Sequence, residues 1–265
     1  MLIGRDACEL TTCGWAWFYR PWSPVTLRKT RAAFEGALEI DPDCIDAKIG
    51  TSLTCIVQLL EGWSNVPLQD QLRAESLLAE AIEYDPTRAM AYHALGMLRR
   101  SQARLPDARA ALNRAVELDP NDAGAVHQLG LASLYEGEPD AAIQHIEKSI
   151  RLSPYDPQRA SMFYGLGRCH MVLGDSRTAL TCFNETLAAK PKHWDARVWR
   201  AGSLGLAGEL TRARAEFSEA VQLRPEIDSL ARWRVYQPWI TYPSYEALRG
   251  ETLYVGLRAA GMHDE

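Results

Sequence analysis

The chain predicts an all-α fold, a right-handed solenoid of about six helix-turn-helix units closed by a C-terminal capping helix, and three columns of residues carry that prediction. Pro86, Pro120 and Pro154 stand 34 residues apart, as do Pro191 and Pro225. Twelve residues before each of these prolines stands an alanine: Ala74, Ala108, Ala142, Ala179 and Ala213. Eight before the unit-ending prolines, Pro42 included, come the large apolar residues Phe34, Leu78, Leu112, Ile146, Phe183 and Phe217. A repeat of this length is one supersecondary unit that cannot bury its apolar face alone, so stability has to come from stacking.

The units follow in order. The first ends at Pro42, and Gly14 falls in its small-residue column once residues 21–24 are set aside as an inserted turn. The second ends at Pro86; Pro42 to Pro86 is 44 residues, and the ten extra are placed in a longer turn around Glu61 to Gln71. Such inserts are marked by Pro and Ser, which break helices, with apolar periodicity resuming afterwards. Units three and four, residues 89–120 and 123–154, are the most regular, and with unit five, residues 160–191, they carry the pairs Leu95-Gly96, Leu129-Gly130 and Leu166-Gly167. A glycine there lets two antiparallel helices cross closely and accept the large knob of the partner helix. Unit six, residues 194–225, keeps Ala213, Phe217 and Ala220 but has Arg200-Ala201 where the Leu-Gly pair is expected, so its first helix is expected to pack differently. Beyond Pro225 the pattern stops. An aromatic segment with Trp233, Tyr236, Trp239 and Tyr242 precedes a last helix predicted from Ser244 to Ala259, with Tyr245, Leu248, Leu253, Tyr254 and Leu257 facing inward. The expected organisation is a repeat array over residues 1–225 and a capping segment over 226–265, its aromatics serving as packing for the cap.

These agreeing proline, alanine, glycine and bulky apolar columns resemble tetratricopeptide repeats over nearly the whole chain. The resemblance implies a concave groove lined by the first helix of each unit. Mapped onto this sequence, the lining is Met90, His93, Met97 and Arg100 from unit three, His127, Leu131 and Tyr135 from unit four, and Tyr164, Arg168 and Met171 from unit five. Apolar anchors with two arginines suit an extended or helical peptide, the anchors supplying burial and the guanidinium gripping a carboxylate or main-chain oxygen. The lysine and asparagine clamp of chaperone-binding members is missing, since His93, Met97, His127 and Gln128 stand in those places. Several segments, Gly14–Arg20, Glu61–Ser64, His145–Leu152, Ser229–Ile240 and Thr252–Gly261, also resemble the repeat region at the C-terminal end of bacterial class III adenylate or guanylate cyclases and of winged-helix transcriptional regulators. That resemblance implies a regulatory module encoded apart from its effector domain, in which Trp15, Trp17 and Phe18 face the effector. The same unit-one aromatics offer an apolar edge at which a second copy can pair, leaving homo-oligomerisation open.

Composition and motifs point away from chemistry. A formal charge of -5 without a dense Lys/Arg block argues against a nucleic-acid surface. No stretch approaches the ~20 apolar residues that span a bilayer, and the opening MLIGRDACEL lacks a signal-peptide core, so a cytoplasmic location without membrane is expected. The six cysteines form no CxxC pair and are expected as reduced thiols. His93 and His127 recur one period apart, but no carboxylate or thiol is placed to complete a metal site with either. Cys169 and His170 are adjacent on a helix and so point about 100° apart, which disfavours a nucleophile and base pair. Phosphate-loop patterns do not occur. The expectation is a non-catalytic scaffold for a peptide or partner domain, needing neither cofactor nor metal.

Overall fold

A computed structural model describes residues 6–236 and 242–265. Its regular elements are α-helices, and they fall in antiparallel pairs: α1 (Ala7–Phe18) with α2 (Pro24–Ile40), α3 (Ile45–Leu60) with α4 (Pro67–Tyr84), α5 (Ala89–Ser101) with α6 (Leu105–Leu118), α7 (Ala123–Tyr135) with α8 (Pro139–Leu152), α9 (Arg159–Val172) with α10 (Ser176–Ala189), and α11 (Trp194–Leu206) with α12 (Leu210–Leu223). A 3-10 turn (Pro225–Ile227) leads to α13 (Leu230–Val235), α14 (Pro243–Glu251) and α15 (Leu253–Ala259). The predicted Trp239 lies outside the described residues. Two compact units divide the chain, Met1–Ala125 and Val126–Glu265.

The punctuation of each repeat has a local cause. Asp41, Asp85 and Asp119 end their helices in nearly identical extended conformations. Each turns its carboxylate back to accept the N–H two residues on, from Asp43 (3.1 Å), Thr87 (3.0 Å) and Asn121 (3.0 Å). These are Asx turns, which offer the chain an alternative to further helix. The second helices begin on a proline at their first or second position, where a missing N–H costs nothing, in α2, α4, α6 and α8. Within repeats two, four, five and six the turn passes through a left-handed residue, and glycine fills it at Gly62, Gly137, Gly174 and Gly208. Repeat three puts Ala103 there at φ 56°.

The small-residue column does what its spacing predicts. A methyl at Gly14 would lie 2.5 Å from the Phe34 ring, one at Gly130 2.6 Å from Ile146 and one at Gly167 2.7 Å from Phe183, and one at Gly96 would run into the Leu112 side chain. Each glycine is therefore the hole for its own repeat's knob. In repeat two Ser52 faces the second helix, its hydroxyl donating to the carbonyls of Lys48 and Ala74 (2.8 and 3.4 Å).

Three expectations are corrected. The ten extra residues of unit two do not form a loop as far as Gln71, because α4 already starts at Pro67. Most of them lengthen the helices: α3 has 16 residues against 13 in α5, and α4 has 18 against 14 in α6. Asp70 explains the extension, since it is buried and its carboxylate takes Arg31 at 2.9 Å and Ser64 at 2.6 Å, tying the added turn of α4 to α2 and to the inter-helix turn. The single last helix from Ser244 to Ala259 is two helices interrupted at Thr252 (φ −125°, ψ −76°). In unit one, Phe18 is buried and Trp15 packs edge-on against Phe34 at 5.0 Å, so of the three unit-one aromatics Trp17 faces outward, half-buried with Arg20 and Lys29 each 4.2 Å from its ring.

Repeat six departs as predicted. Its first helix presents Gly202 and Gly205 to α15, and added methyls there would meet Leu253 and the main chain of Gly256. The knob position Phe217 is half-buried, and its neighbour Glu216 is buried instead, its carboxylate 2.8 Å from Arg197 and also paired with Arg200. The end of the chain returns to this layer: the N–H of Leu230 donates to the carbonyl of His263 (2.8 Å), and that of Ala231 to Asp264 (3.1 Å).

Candidate functional site

The predicted groove residues divide between the two units. In the first, α5 carries Met90, His93, Met97 and Arg100. Met97 is buried in the core beside Leu53, Ile56 and Leu98, and Met90 packs half-buried against it. His93 is 8% exposed, with Nδ1 3.0 Å from the Asp122 carboxylate and its ring edge against Gly124, where a methyl would come within 2.5 Å. Burial pushes the Asp122 carboxyl up, but the His93 charge and hydrogen bond and the N–H groups of Ala125 and Gly124 outweigh it and hold it below its ordinary range. His93 thus braces the turn after repeat three. Arg100 is also buried.

In the second unit, Leu131, Tyr135, Arg168 and Met171 are buried, His127 is 7% exposed beside Gly165, and Tyr164 is half-buried. Met171 serves the core, its sulfur 3.1 Å from the Ser203 hydroxyl. The structure brings Tyr135, Tyr164 and Arg168 together around one guanidinium. Arg168 donates from Nη1 to the Tyr135 hydroxyl (3.3 Å) and from Nε and Nη2 to the hydroxyl of Tyr245 (3.1 and 3.0 Å). Its carbon lies 5.1 Å from the Tyr135 ring, 5.4 Å from those of Tyr164 and Trp199, and 5.6 Å from that of Tyr245. Ring faces attract a cation, which offsets part of the cost of burying it. Desolvation opposes the charge, but the phenols of Tyr135, Tyr245 and Tyr164 outweigh it, and Arg168 stays firmly protonated. Burial pushes the Tyr245 phenol up to about 12, so it remains a neutral hydroxyl.

Tyr245 belongs to α14, so the C-terminal segment sits on the first-helix face of repeats four and five. Ser244 lies against Gly137, whose Cα hydrogen leaves the room: a methyl there would fall 2.7 Å from the Ser244 Cβ. Beyond Tyr245 the layer continues through Arg249, which is buried with its guanidinium 5.0 Å from the Tyr245 ring, 5.5 Å from Tyr254 and 5.7 Å from Trp233. Glu246 pairs with Arg249 and, at 2.7 Å, with Arg234, and accepts the Tyr254 hydroxyl at 2.8 Å. Asp195 accepts the Trp233 indole N–H at 2.8 Å and the Tyr164 hydroxyl. His193 lies tilted against Tyr164, 4.9 Å between ring centres, and caps α11 by accepting the Ala196 N–H at 3.1 Å.

Tyr245, Trp233 and Tyr254 are expected from the sequence as cap packing, whereas Arg249, Glu246 and Asp195 join this layer only in the structure. The available signal was charge beside inward positions: Glu246 and Arg249 sit three apart, each next to a residue, Tyr245 or Leu248, expected to face inward.

Cys169 and His170 are not arranged as a nucleophile and its base. Cys169 is buried, and burial pushes its thiol up to about 12, away from the thiolate a nucleophile needs. His170 turns elsewhere, its Nδ1 3.4 Å from Asp175. Among the described residues no three His, Cys, Asp or Glu side chains group as a metal site, and no helix is long and apolar enough to cross a membrane.

Stacked antiparallel helix pairs, with a knob and hole in the regular ones, define the helical-repeat scaffold class. The chain belongs to the tetratricopeptide repeat family, which it matches over residues 62–123, 127–176 and 170–226. No curated protein matches it in sequence. Among solved structures it is similar to the hetero-tetramer Cut9-Hcn1 of the APC/C, with a TM-score of 0.71 and 17% identity over 90% of this chain. It spans 44% of that chain's length. It is also similar to PilW, described as a widely conserved type IV pilus biogenesis factor, with a TM-score of 0.60 and 18% identity over 86% of this chain and 97% of the other. The pilF protein of Pseudomonas aeruginosa gives 0.58 and 16% over 88% and 96%. At these identities the likeness shows the fold. Proteins with the tetratricopeptide fold generally serve as scaffolds for protein partners.

Proposed function

We propose that the chain is a non-catalytic scaffold that binds a peptide or partner domain on the first-helix face of its repeats, with Tyr135, Tyr164 and Arg168 as the anchor. One observation supports this reading above others: the Arg168 cage already seats a helical residue, Tyr245, from 77 positions away in the chain. A face that recognises a helix by one buried phenol and its ring has the chemistry of a helix-in-groove site. Of the other residues assigned to the groove, His127, Leu131 and Met171 lie in the second unit with the anchor, while Met90, His93, Met97 and Arg100 lie in the first. The partner is a protein; neither nucleic acid nor a membrane is called for.

Affinity capture with the full chain tests it. Arg168→Lys keeps the charge but cannot reach several phenols with one planar group. Capture should drop for Arg168→Lys and stay unchanged for Arg212→Lys on the exposed side of α12; equal recovery by both variants overturns the assignment of this face. A second reading, a regulatory module for a nucleotide cyclase or winged-helix regulator, draws on segments that form α13 and α15, and a neighbouring reading frame encoding such an effector decides it.

A further inference from the structure

Within the second unit, α14 lies on the first-helix face of repeats four and five without belonging to a repeat. Of its nine residues only Tyr245 and Arg249 are buried, while Pro243, Ser244 and Ala247 are exposed. Its hold on the repeats is concentrated in Tyr245, whose hydroxyl accepts two of the three Arg168 hydrogen bonds and whose ring lies 5.5 Å from that of Tyr135, and in the seat of Ser244 over Gly137. The attachment of α15 is of another kind. There Gly256 meets the main chain of Gly202 and Gly205, with Leu253 and Leu257 fully covered. The helix is interrupted between the two at Thr252. A methyl added at Gly250, just before that break, would meet open space. The anchoring of α14 and that of α15 are therefore separable.

The seat beneath α14 is also specific in its chemistry. Arg168 directs its hydrogen bonds to phenol oxygens, those of Tyr135 and Tyr245, and the Tyr245 ring lies between two guanidinium groups, Arg168 at 5.6 Å and Arg249 at 5.0 Å. Phenylalanine would fill the ring slot and leave two guanidinium N–H groups without their acceptor. A carboxylate would pair with Arg168 and leave the ring slot empty. Tyrosine satisfies both demands.

The geometry points to a face with a displaceable occupant: the first-helix face of repeats four and five takes a helical segment of a protein partner that presents a tyrosine in the place of Tyr245, and α14 is the intramolecular occupant that this segment displaces. This rests on the scaffold reading above and adds a partner chemistry and a gate to it. A tethered occupant competes at high effective concentration, so a partner's apparent affinity is reduced by the fraction of chains in which α14 is already away.

Hydrogen exchange of the full chain tests the gate. Amides in the last turn of α14 should exchange at least about tenfold faster than those in the middle of α9 and the last turn of α15, because α14 opens below the global unfolding free energy. Tyr245→Phe should speed α14 by about a further tenfold and leave α15 unchanged, as it removes the hydroxyl alone. A synthetic peptide of residues 242–252 added in millimolar excess should speed the exchange of the chain's own α14, and the same peptide with phenylalanine for tyrosine should not. Exchange of α14 at the rate of α9 in the wild-type chain overturns the proposal, as does equal action of the two peptides or no action by either. Those results leave the scaffold reading standing on its capture experiment, while equal capture by the Arg168 and Arg212 variants removes the face whatever α14 does.

Discussion

Replacing Gly256 with alanine should separate α15 from α11. A Cβ at Gly256 would land on the carbonyl oxygen of Gly202 and 2.8 Å from its carbonyl carbon, and one at Gly205 would likewise meet the Gly256 main chain. These are backbone atoms in helices, so no rotamer change relieves the contact and the two axes have to part. Overpacking of this kind costs about 1–3 kcal/mol. Parting also loosens Leu253 and Leu257, each of whose full burial stabilises by roughly 1.5–3 kcal/mol. Alanine returns up to about 1 kcal/mol as a better helix former than glycine. The net loss should be about 3 kcal/mol in the second unit. Gly250 is the matched control: it is helical, six residues away, and a methyl there meets nothing within 4 Å. Gly250→Ala should stabilise by about 0.5–1 kcal/mol on propensity alone. The assay is urea unfolding followed by helical circular dichroism and by tryptophan fluorescence, which reports on Trp199 and Trp233 at this layer. Opposite shifts of the two midpoints are expected, and similar shifts for both variants would refute the close crossing.

Four further outcomes follow from particular residues. Ala103→Gly should raise the stability of the first unit by up to about 1 kcal/mol, read by urea midpoint, since alanine there bears a left-handed conformation. His193 is pushed down from 6.5 to about 4, by burial first and by Lys190 to a lesser degree, against an opposing pull from Asp195. Because the unfolded chain binds that proton more readily, the contribution is complete above about pH 6.5 and is lost as pH falls toward 4, on the order of 1–3 kcal/mol; His193→Asn keeps a capping acceptor and should flatten the decline in melting experiments across that window. Glu216→Gln removes the carboxylate between Arg197 and Arg200 and should cost about 1–3 kcal/mol in thermal unfolding, partly recovered at high salt because both arginines reach solvent. Iodoacetamide should label the exposed Cys8 in the native chain at least about a hundredfold faster than Cys55 or Cys169, both buried with thiols pushed up to about 12; equal rates would reopen a reactive role for Cys169.

The repeat ladder was readable because its contacts are local. Gly96 and Leu112, or Gly167 and Phe183, lie 16 residues apart in one helical hairpin and recur with the period. A spacing seen three times, at Gly96, Gly130 and Gly167, reports a geometry made three times. The unit-two insert was misplaced for a related reason: Pro67 and Ser64 read as a long turn, while the burial of Asp70 against Arg31 that carries the helices onward depends on a residue 39 positions away. Cap and groove were likewise assigned separately, because no period links Tyr135, Arg168 and Tyr245.

By itself, then, the sequence determined the helix pairs, the hole and knob of each regular repeat, the irregular sixth unit and the family, since each depends on residues within one or two turns or one hairpin. Tertiary structure alone decided that the C-terminal segment settles on the first-helix face, that Arg168 is answered by phenols, and that the last helix breaks at Thr252. Those depend on which distant surfaces meet, and a buried cation finds its partners by position in space, which spacing along the chain does not record.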